Sequence, residues 1–243
     1  MCENSTPAPE IRTNIPKPKD TIYTRYIKRL LDIILSGGAI VVLSPVLLVL
    51  CILELIYHGK PIFYVQRRPG KDGKLFDMYK FRSMNNKTDE NGVLLYAHLR
   101  ITPFGRFIRR YSLDELAGLF NVFNGTMSII GPRPLLADYL PLYTERHQYR
   151  HSVRPGLACW DLRENKELTA DQWTWNAQFE SDIYYVENVS FLMDVKMVLK
   201  TLQVIFAKNE MRTNGDRLRY DGTNLNDTRT FAQFLQDQEQ KQK

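Results

Sequence analysis

The densest chemistry in this chain lies between residues 109 and 134. Ser112-Leu113-Asp114-Glu115 sets two carboxylates side by side just after Arg109 and Arg110. The S-x-x-E spacing is that of a capping box, which predicts a helix starting at Ser112 with Glu115 reaching back to the Ser112 N–H. Asp114 then falls in the first helical turn, where unsatisfied N–H groups and the positive dipole end favour a carboxylate anion. An ionised Asp beside two arginines fits a nucleophile toward phosphorus. It fits equally an Mg²⁺ ligand where phosphates share the ion, and capping alone also accounts for the pair. Further on, Gly131-Pro132-Arg133-Pro134 holds an arginine between two prolines. The restricted backbone presents the guanidinium from a stiff loop, which suits bidentate phosphate binding. A rigid turn whose Arg pairs with a surface carboxylate is the plainer alternative.

Upstream, the stretch from Pro61 to Met84 alternates Ile62, Tyr64 and Gln66 with Phe63, Val65 and Arg67, then turns through PGKDGK into LFDMYKFRSM. This predicts a β-hairpin. Its cations Arg67, Arg68, Lys80 and Arg82 are interleaved with Phe76, Tyr79 and Phe81. Such a surface can meet nucleic acid, phospholipid headgroups or a phosphorylated small molecule. There is no G-x-x-x-x-G-K-[ST] loop, no G-x-G-x-x-G and no D-x-D pair, so the usual nucleotide-binding signatures are absent. Among the four histidines only His147 and His151 share a helical face, and they read as a surface pair rather than a metal site.

What must position these residues is a chain of 243 residues, 44% hydrophobic and 25% charged. That is ordinary globular composition, and it excludes a collagen-like, disulfide-stapled or wholly disordered protein. A mean hydropathy of -0.35 excludes a polytopic membrane protein. The cysteines Cys2, Cys51 and Cys159 share no ligand spacing and read as inert thiols of a reducing compartment. Lys and Arg outnumber Asp and Glu by 18 to 11 over residues 1–120 and trail them 15 to 16 afterwards. The basic first half implies an anionic partner.

One stretch can enter a bilayer. The 21 residues from Ile33 to Leu53 carry no charge, which is spanning length. Ser44-Pro45 interrupts it, and Pro45 has no N–H to offer the Val41 carbonyl, so a sharp kink is predicted with the Ser44 hydroxyl able to satisfy that carbonyl. Both flanks are basic, with Lys28 and Arg29 before and Lys60, Arg67, Arg68, Lys71 and Lys74 after. Basic flanks mark the cytoplasmic side, so a helix-break-helix that enters and leaves one leaflet is favoured over a straight span. Asp32 at the membrane edge is expected to pair with Arg29, three residues earlier. Residues 191–206 form an amphipathic pattern with Leu192, Val195, Leu199, Leu202 and Phe206 on one face, fit for core packing or for lying in the interface. The expected organisation is a flexible tail over 1–22, a re-entrant helix over 23–58, a folded domain carrying the carboxylate pair over 59–208 and a polar tail over 209–243. The expected fold is mixed α/β and helix-rich, with a short β-hairpin.

The segments KRLLD, the mid-helix SP, Q-x-R-P-G, YKFRSM, SLDEL, LFNV-x-x-G-x-MS, GPRPLL, RH-x-VRPG and D-x-YY-x-x-N-x-S occur here in that order, from about Tyr26 to about Lys208. In these the chain resembles the bacterial sugar transferase family, the small monotopic polyprenyl-phosphate phosphoglycosyl transferases. The resemblance implies a re-entrant helix broken at Ser44-Pro45 on the cytoplasmic leaflet of the bacterial inner membrane, with Lys28, Arg29 and Asp32 at its edge. It implies that Asp114 attacks the β-phosphate of a UDP-sugar, releasing UMP, and that polyprenyl (undecaprenyl) phosphate then takes the phosphosugar from the carboxylate. This step would start a surface glycan such as a capsule or exopolysaccharide. Glu115, with Asp114, is associated with Mg²⁺; Lys80, Arg109 and Arg133 match basic positions around the phosphates, and Arg82 is grouped with them. Downstream glycosyltransferases and a homodimer are compatible partners; nucleic acid is not expected. The chain departs from the family's usual pattern over Leu157–Lys166 and at Ala97, Ala117 and Gly118. The altered loop motivates a rival reading as a catalytically impaired, membrane-bound scaffold.

Overall fold

Pro45 sets the shape of the N-terminal third. In the computed structural model, which describes residues 18–159, 174–206, 218–227 and 233, a π-helical turn (Tyr23–Ile27) leads into α1 (Lys28–Val42). After Leu43 the chain resumes as α2 (Ser44–Tyr57), bent by 64° from the preceding helix. Ser44 Oγ donates to the Val41 carbonyl at 2.8 Å, filling the place of the N–H that proline lacks. Among the described residues no single helix is long and apolar enough to cross a membrane; this bent pair alone passes on length and composition.

The hairpin follows as β1 (Phe63–Pro69) and β2 (Leu75–Phe81), antiparallel, with Tyr64 opposite Lys80 and Arg68 opposite Phe76. Next come α3 (Ala97–Arg100) and α4 (Pro103–Arg110). Thr102 caps α4, its hydroxyl accepting the Gly105 N–H at 2.9 Å. Gly105 lies so close to the Ser83 carbonyl that a Cβ would collide with it, which brings α4 onto the end of the hairpin. Further along come α5 (Gly118–Asn124), β3 (Ser128–Ile130), a 3₁₀ stretch (Ala137–Leu142), α6 (Glu145–Gln148) continuing into a 3₁₀ turn (Tyr149–Ser152), β4 (Gly156–Ala158), α7 (Trp175–Asn188) and α8 (Phe191–Phe206). Strands β3 and β4 pair in parallel, making a second two-stranded sheet. The mixed, helix-rich α/β class and the hairpin are as predicted.

One apolar cluster matters most for position. Leu47 and Leu50 of α2 pack with Phe81, Ile108 and Ala117, and Leu113 and Leu116 join them. The acidic turn is therefore built onto the base of the broken helix.

Several expectations are corrected. Asp32 does not hydrogen-bond Arg29: it is buried and accepts from Ser128 Oγ (3.1 Å) and the Ile129 N–H (3.0 Å). Arg29 instead donates to the Val122 and Phe123 carbonyls at the C-terminal end of α5 (2.7 and 2.9 Å), where the helix dipole welcomes a cation. Lys28 is tucked against Asp194 of α8 at 2.5 Å, with Tyr23 and Tyr185 on the same carboxylate. The three charges at the foot of the apolar helix thus stitch it to the domain, because each finds a closer partner there than in its own helix. His147 and His151 are buried, not a surface pair, and burial drives both pKa values down to about 4. Within the segment expected as a polar tail, Tyr220 is buried in the core and Leu225 packs against the same cluster. Tyr220 is 3% exposed among Leu135, Tyr139, Tyr143, Trp175 and Phe179, and Trp175 Nε1 donates to the Leu218 carbonyl at 3.0 Å. On α8 the core side is Met193 and Met197, whereas Leu192 is 78% exposed and Val195, Leu199 and Leu202 lie outward with it.

Candidate active site

Asp114 and Glu115 sit on a single 3₁₀ turn (Leu113–Glu115), not at the start of a capped α-helix. The capping box does not form because Ser112 is left-handed (φ 54°, ψ 24°) and its side chain caps nothing; an N-cap needs extended backbone there. A non-glycine residue in that region carries strain of about 1–2 kcal/mol. The Ser112 N–H donates to the Arg109 carbonyl at 3.1 Å, so the chain reverses tightly at the end of α4 and sets both carboxylates within reach of the Arg109 charge.

The surround is cationic. Lys80 on β2 donates to Glu115 Oε1 at 2.9 Å, with the Glu115 side chain 32% exposed. Burial works against the Glu115 carboxylate, but Lys80, Arg133 and Arg109 outweigh it and hold its pKa below the usual value. Asp114 behaves oppositely. Burial first, then the negative Glu115, push its pKa up to about 6 against the pull of Lys80 and Arg109. The result is one firmly ionised carboxylate beside one of raised basicity, the division of roles that a two-carboxylate site needs.

Second partners hold the cations in place. Arg109 is oriented by Ser83 Oγ at 2.8 Å. The strand bearing Lys80 is pinned to α5 by Asn121, which accepts the Tyr79 N–H (2.9 Å) and donates to the Asp77 carbonyl (2.7 Å). The Arg133 loop is gripped from both sides. Its N–H donates to Asp182 Oδ1 at 3.2 Å, and its carbonyl accepts from Arg150 Nη2 at 2.5 Å. Arg150 and Asp182 are themselves a buried ion pair, 1% and 0% exposed, with Tyr143 OH accepting a further bond from the guanidinium.

Of the residues singled out in the sequence, Asp114, Glu115, Lys80, Arg109 and Arg133 are brought together. Arg82 is not among them. It donates to the His58, Gly59 and Pro61 carbonyls at 3.0–3.3 Å, tying the end of α2 to the start of the hairpin. Ser83, Asn121, Arg150 and Asp182 escaped notice, although Asn121 interrupts the apolar LFNVF run and the other three lie inside quoted motifs. The departures at Trp160–Lys166 fall outside the described residues. Just before them, burial raises the Cys159 thiol to about 12, consistent with an inert group. No cluster of three or more His, Cys, Asp or Glu side chains forms a ready-made metal cage among the described residues.

A carboxylate pair amid positioned cations, built onto the base of a broken apolar helix, is the equipment of a phosphoryl-transfer enzyme. The family model for bacterial sugar transferases matches residues 23–208, and the chain belongs to that family. It is 40% identical over 189 residues to the Bacillus subtilis protein "Uncharacterized sugar transferase EpsL", covering 77% of this chain and 92% of that one. It is 35% identical over 198 residues to the Aeromonas hydrophila UDP-N-acetylgalactosamine-undecaprenyl-phosphate N-acetylgalactosaminephosphotransferase, covering 79% of this chain but 46% of the relative. The exopolysaccharide production protein ExoY of Sinorhizobium fredii is 32% identical over 196 residues, 73% of this chain and 84% of the relative. The chain thus spans nearly all of the small relatives and less than half of the Aeromonas enzyme.

Proposed function

We propose that this protein transfers a sugar 1-phosphate from a UDP-sugar to undecaprenyl phosphate on the cytoplasmic face of the inner membrane, the first membrane step of a surface polysaccharide. The observation that carries the reading is the carboxylate pair, with Asp114 raised to about pKa 6 beside Lys80 and Arg109, and Glu115 under the charges of Lys80, Arg109 and Arg133. At neutral pH the Asp114 carboxylate is mostly ionised yet more basic than an ordinary Asp, which favours attack on phosphorus. One Asp114 oxygen bonds to the donor's β-phosphorus, and the bridging P–O bond breaks with its electron pair leaving on UMP. An oxygen of the lipid phosphate then attacks the same phosphorus, and the carboxylate departs unchanged. Lys80, Arg109 and Arg133 hold the phosphoryl oxygens in line and offset the negative charge.

Two adjacent carboxylates whose charges repel fit a Mg²⁺ ion, which characteristically takes one or two protein carboxylates plus phosphate oxygens. Glu115, with Asp114, would hold it, and when bound it supplies charge neutralisation to the diphosphate. The 64° bend at Leu43 and the outward apolar stripe of α8 support seating in one leaflet, with the site at headgroup depth. UMP release from a panel of UDP-sugars, with Mg²⁺ and undecaprenyl phosphate in detergent, tests the reading. Release with one sugar is expected, falling at least 1000-fold in Asp114→Asn while the variant stays membrane-bound. Turnover that survives Asp114→Asn would refute the covalent route.

A further inference from the structure

Arg68, on β1, has no part in the chemistry above, yet its setting is unusual. Its neighbour Arg67 points to solvent and faces Asp77 at 3.8 Å. Arg68 points the other way and is half-buried. Its Nη2 donates to Gln66 Oε1 at 2.6 Å, but its Nε is buried with no acceptor, and no carboxylate lies within ion-pair distance among the described residues. Strand β1 packs on the 3₁₀ stretch that follows the Arg133 loop, which places Arg68 among Arg133, Tyr64, Tyr139 and Tyr143. Burial and the Arg133 charge both lower its basicity. Two guanidiniums whose charges bear on each other in a partly buried site, with a buried donor unmet, cost free energy unless an anion joins them.

The hairpin register puts Arg68 on the same face as Lys80, which lies opposite Tyr64 four residues earlier on β1, and the Arg133 charge bears on both Glu115 and Arg68. We infer that Arg68 and Arg133 form a second phosphoryl seat, beside the one at Asp114, which holds the donor's α-phosphate as UMP leaves. This rests on the donor reading above and adds to it a residue and a place. On cleavage the α-phosphate gains a negative charge, so a seat with two guanidiniums favours the departing group and contributes to rate as well as to binding.

The test is steady-state kinetics on the full chain with Arg68→Gln and Arg68→Lys, varying UDP-sugar and undecaprenyl phosphate separately, with UMP as product inhibitor. Arg68→Gln should lower kcat/KM for the donor at least 10-fold and weaken UMP inhibition by a similar factor, leaving KM for the lipid phosphate unchanged. Arg68→Lys, which keeps the charge and loses the fork, should fall between, and serves if the Gln variant fails to fold. A shift in the lipid-phosphate KM instead would assign the seat to the acceptor and overturn the inference. So would unchanged UMP inhibition in either folded variant. A wild-type protein that neither binds UMP nor consumes any UDP-sugar would bring down the donor reading and the seat with it.

Discussion

Asp114 and Asp182 are both aspartates among arginines, and they meet opposite fates. Asp182 is fully buried and each of its oxygens is bonded: Oδ2 takes two N–H groups of Arg150, and Oδ1 takes the Arg133 N–H. Asp114 is less buried, and no other residue's side chain hydrogen-bonds its carboxylate among those described. The nearby cations bond elsewhere, Lys80 to Glu115 and Arg109 to Ser83. The first site uses ionic chemistry to fix a loop. The second keeps a carboxylate ionisable, underpartnered and open, which is costly for stability and useful for reaction. The two are joined, since the loop that Asp182 fixes is the one that presents Arg133 to Glu115.

Breaking the satisfied site should have the largest effect. Arg150→Met leaves Asp182 buried without its cation, a loss of about 3–5 kcal/mol, read as a large fall in thermal midpoint in detergent. Arg150→Met combined with Asp182→Leu should recover much of that stability, because neither charge remains. It should not recover donor kcat/KM, since the Arg133 N–H and carbonyl lose their anchors together. Full recovery of both would show that the pair has no positioning role.

The underpartnered site should respond in the opposite direction. The Asp114 pKa is raised from 3.8 to about 6, so the folded state binds its proton more tightly than the unfolded chain does. The associated stability is fully present below about pH 4 and is lost as pH rises through 6. Asp114→Asn should therefore be more stable than wild type by about 1–3 kcal/mol at pH 7.5, with the gap closing toward pH 4. His147 and His151, lowered to about 4, lose stability as pH falls from 6.5, but both chains carry them and the difference cancels. In wild type, donor kcat/KM should rise with pH through about 6. An Asn variant that is less stable at pH 7.5 would mean that Asp114 is a structural carboxylate like Asp182.

This contrast also explains what the sequence revealed and what it hid. Local rules were legible. Pro45 removes one donor and the helix breaks there; alternating residues around PGKDGK make a hairpin; Pro132 and Pro134 stiffen the Arg133 loop. Pairings set by tertiary contact were not. Ser112 to Glu115 obeys the capping-box spacing, but the backbone enters the left-handed region to place two carboxylates over Lys80, and the cap is lost. Arg29 and Asp32 have helix-pair spacing, yet α5 and β3 offer stronger partners. The apolar stripe of α8 was visible, but periodicity does not say which side faces the core, and Met193 and Met197 took that side. Residues 218–227 look mostly polar, and their one large aromatic, Tyr220, anchors them by fitting a hole lined by five distant side chains.

That anchor gives the finest test of the comparison. Tyr220 stacks with Tyr143 (ring centroids 6.3 Å apart, planes at 22°) and donates its hydroxyl to the Leu142 carbonyl at 3.1 Å. Tyr143 in turn accepts from Arg150 at 3.0 Å, so the C-terminal segment braces the satisfied ion pair at one remove. Tyr220→Phe keeps the ring and removes one hydrogen bond, leaving a carbonyl acceptor unmet; the cost should be about 1 kcal/mol. Because the ring contacts remain, Arg150 and the Arg133 loop should keep their places, and kcat and KM should match wild type. A lower thermal midpoint with unchanged kinetics fits a brace that supports the framework alone. A changed donor KM at unchanged stability would instead show that the segment reaches the Arg133 loop, and the two aspartates would then belong to one coupled unit.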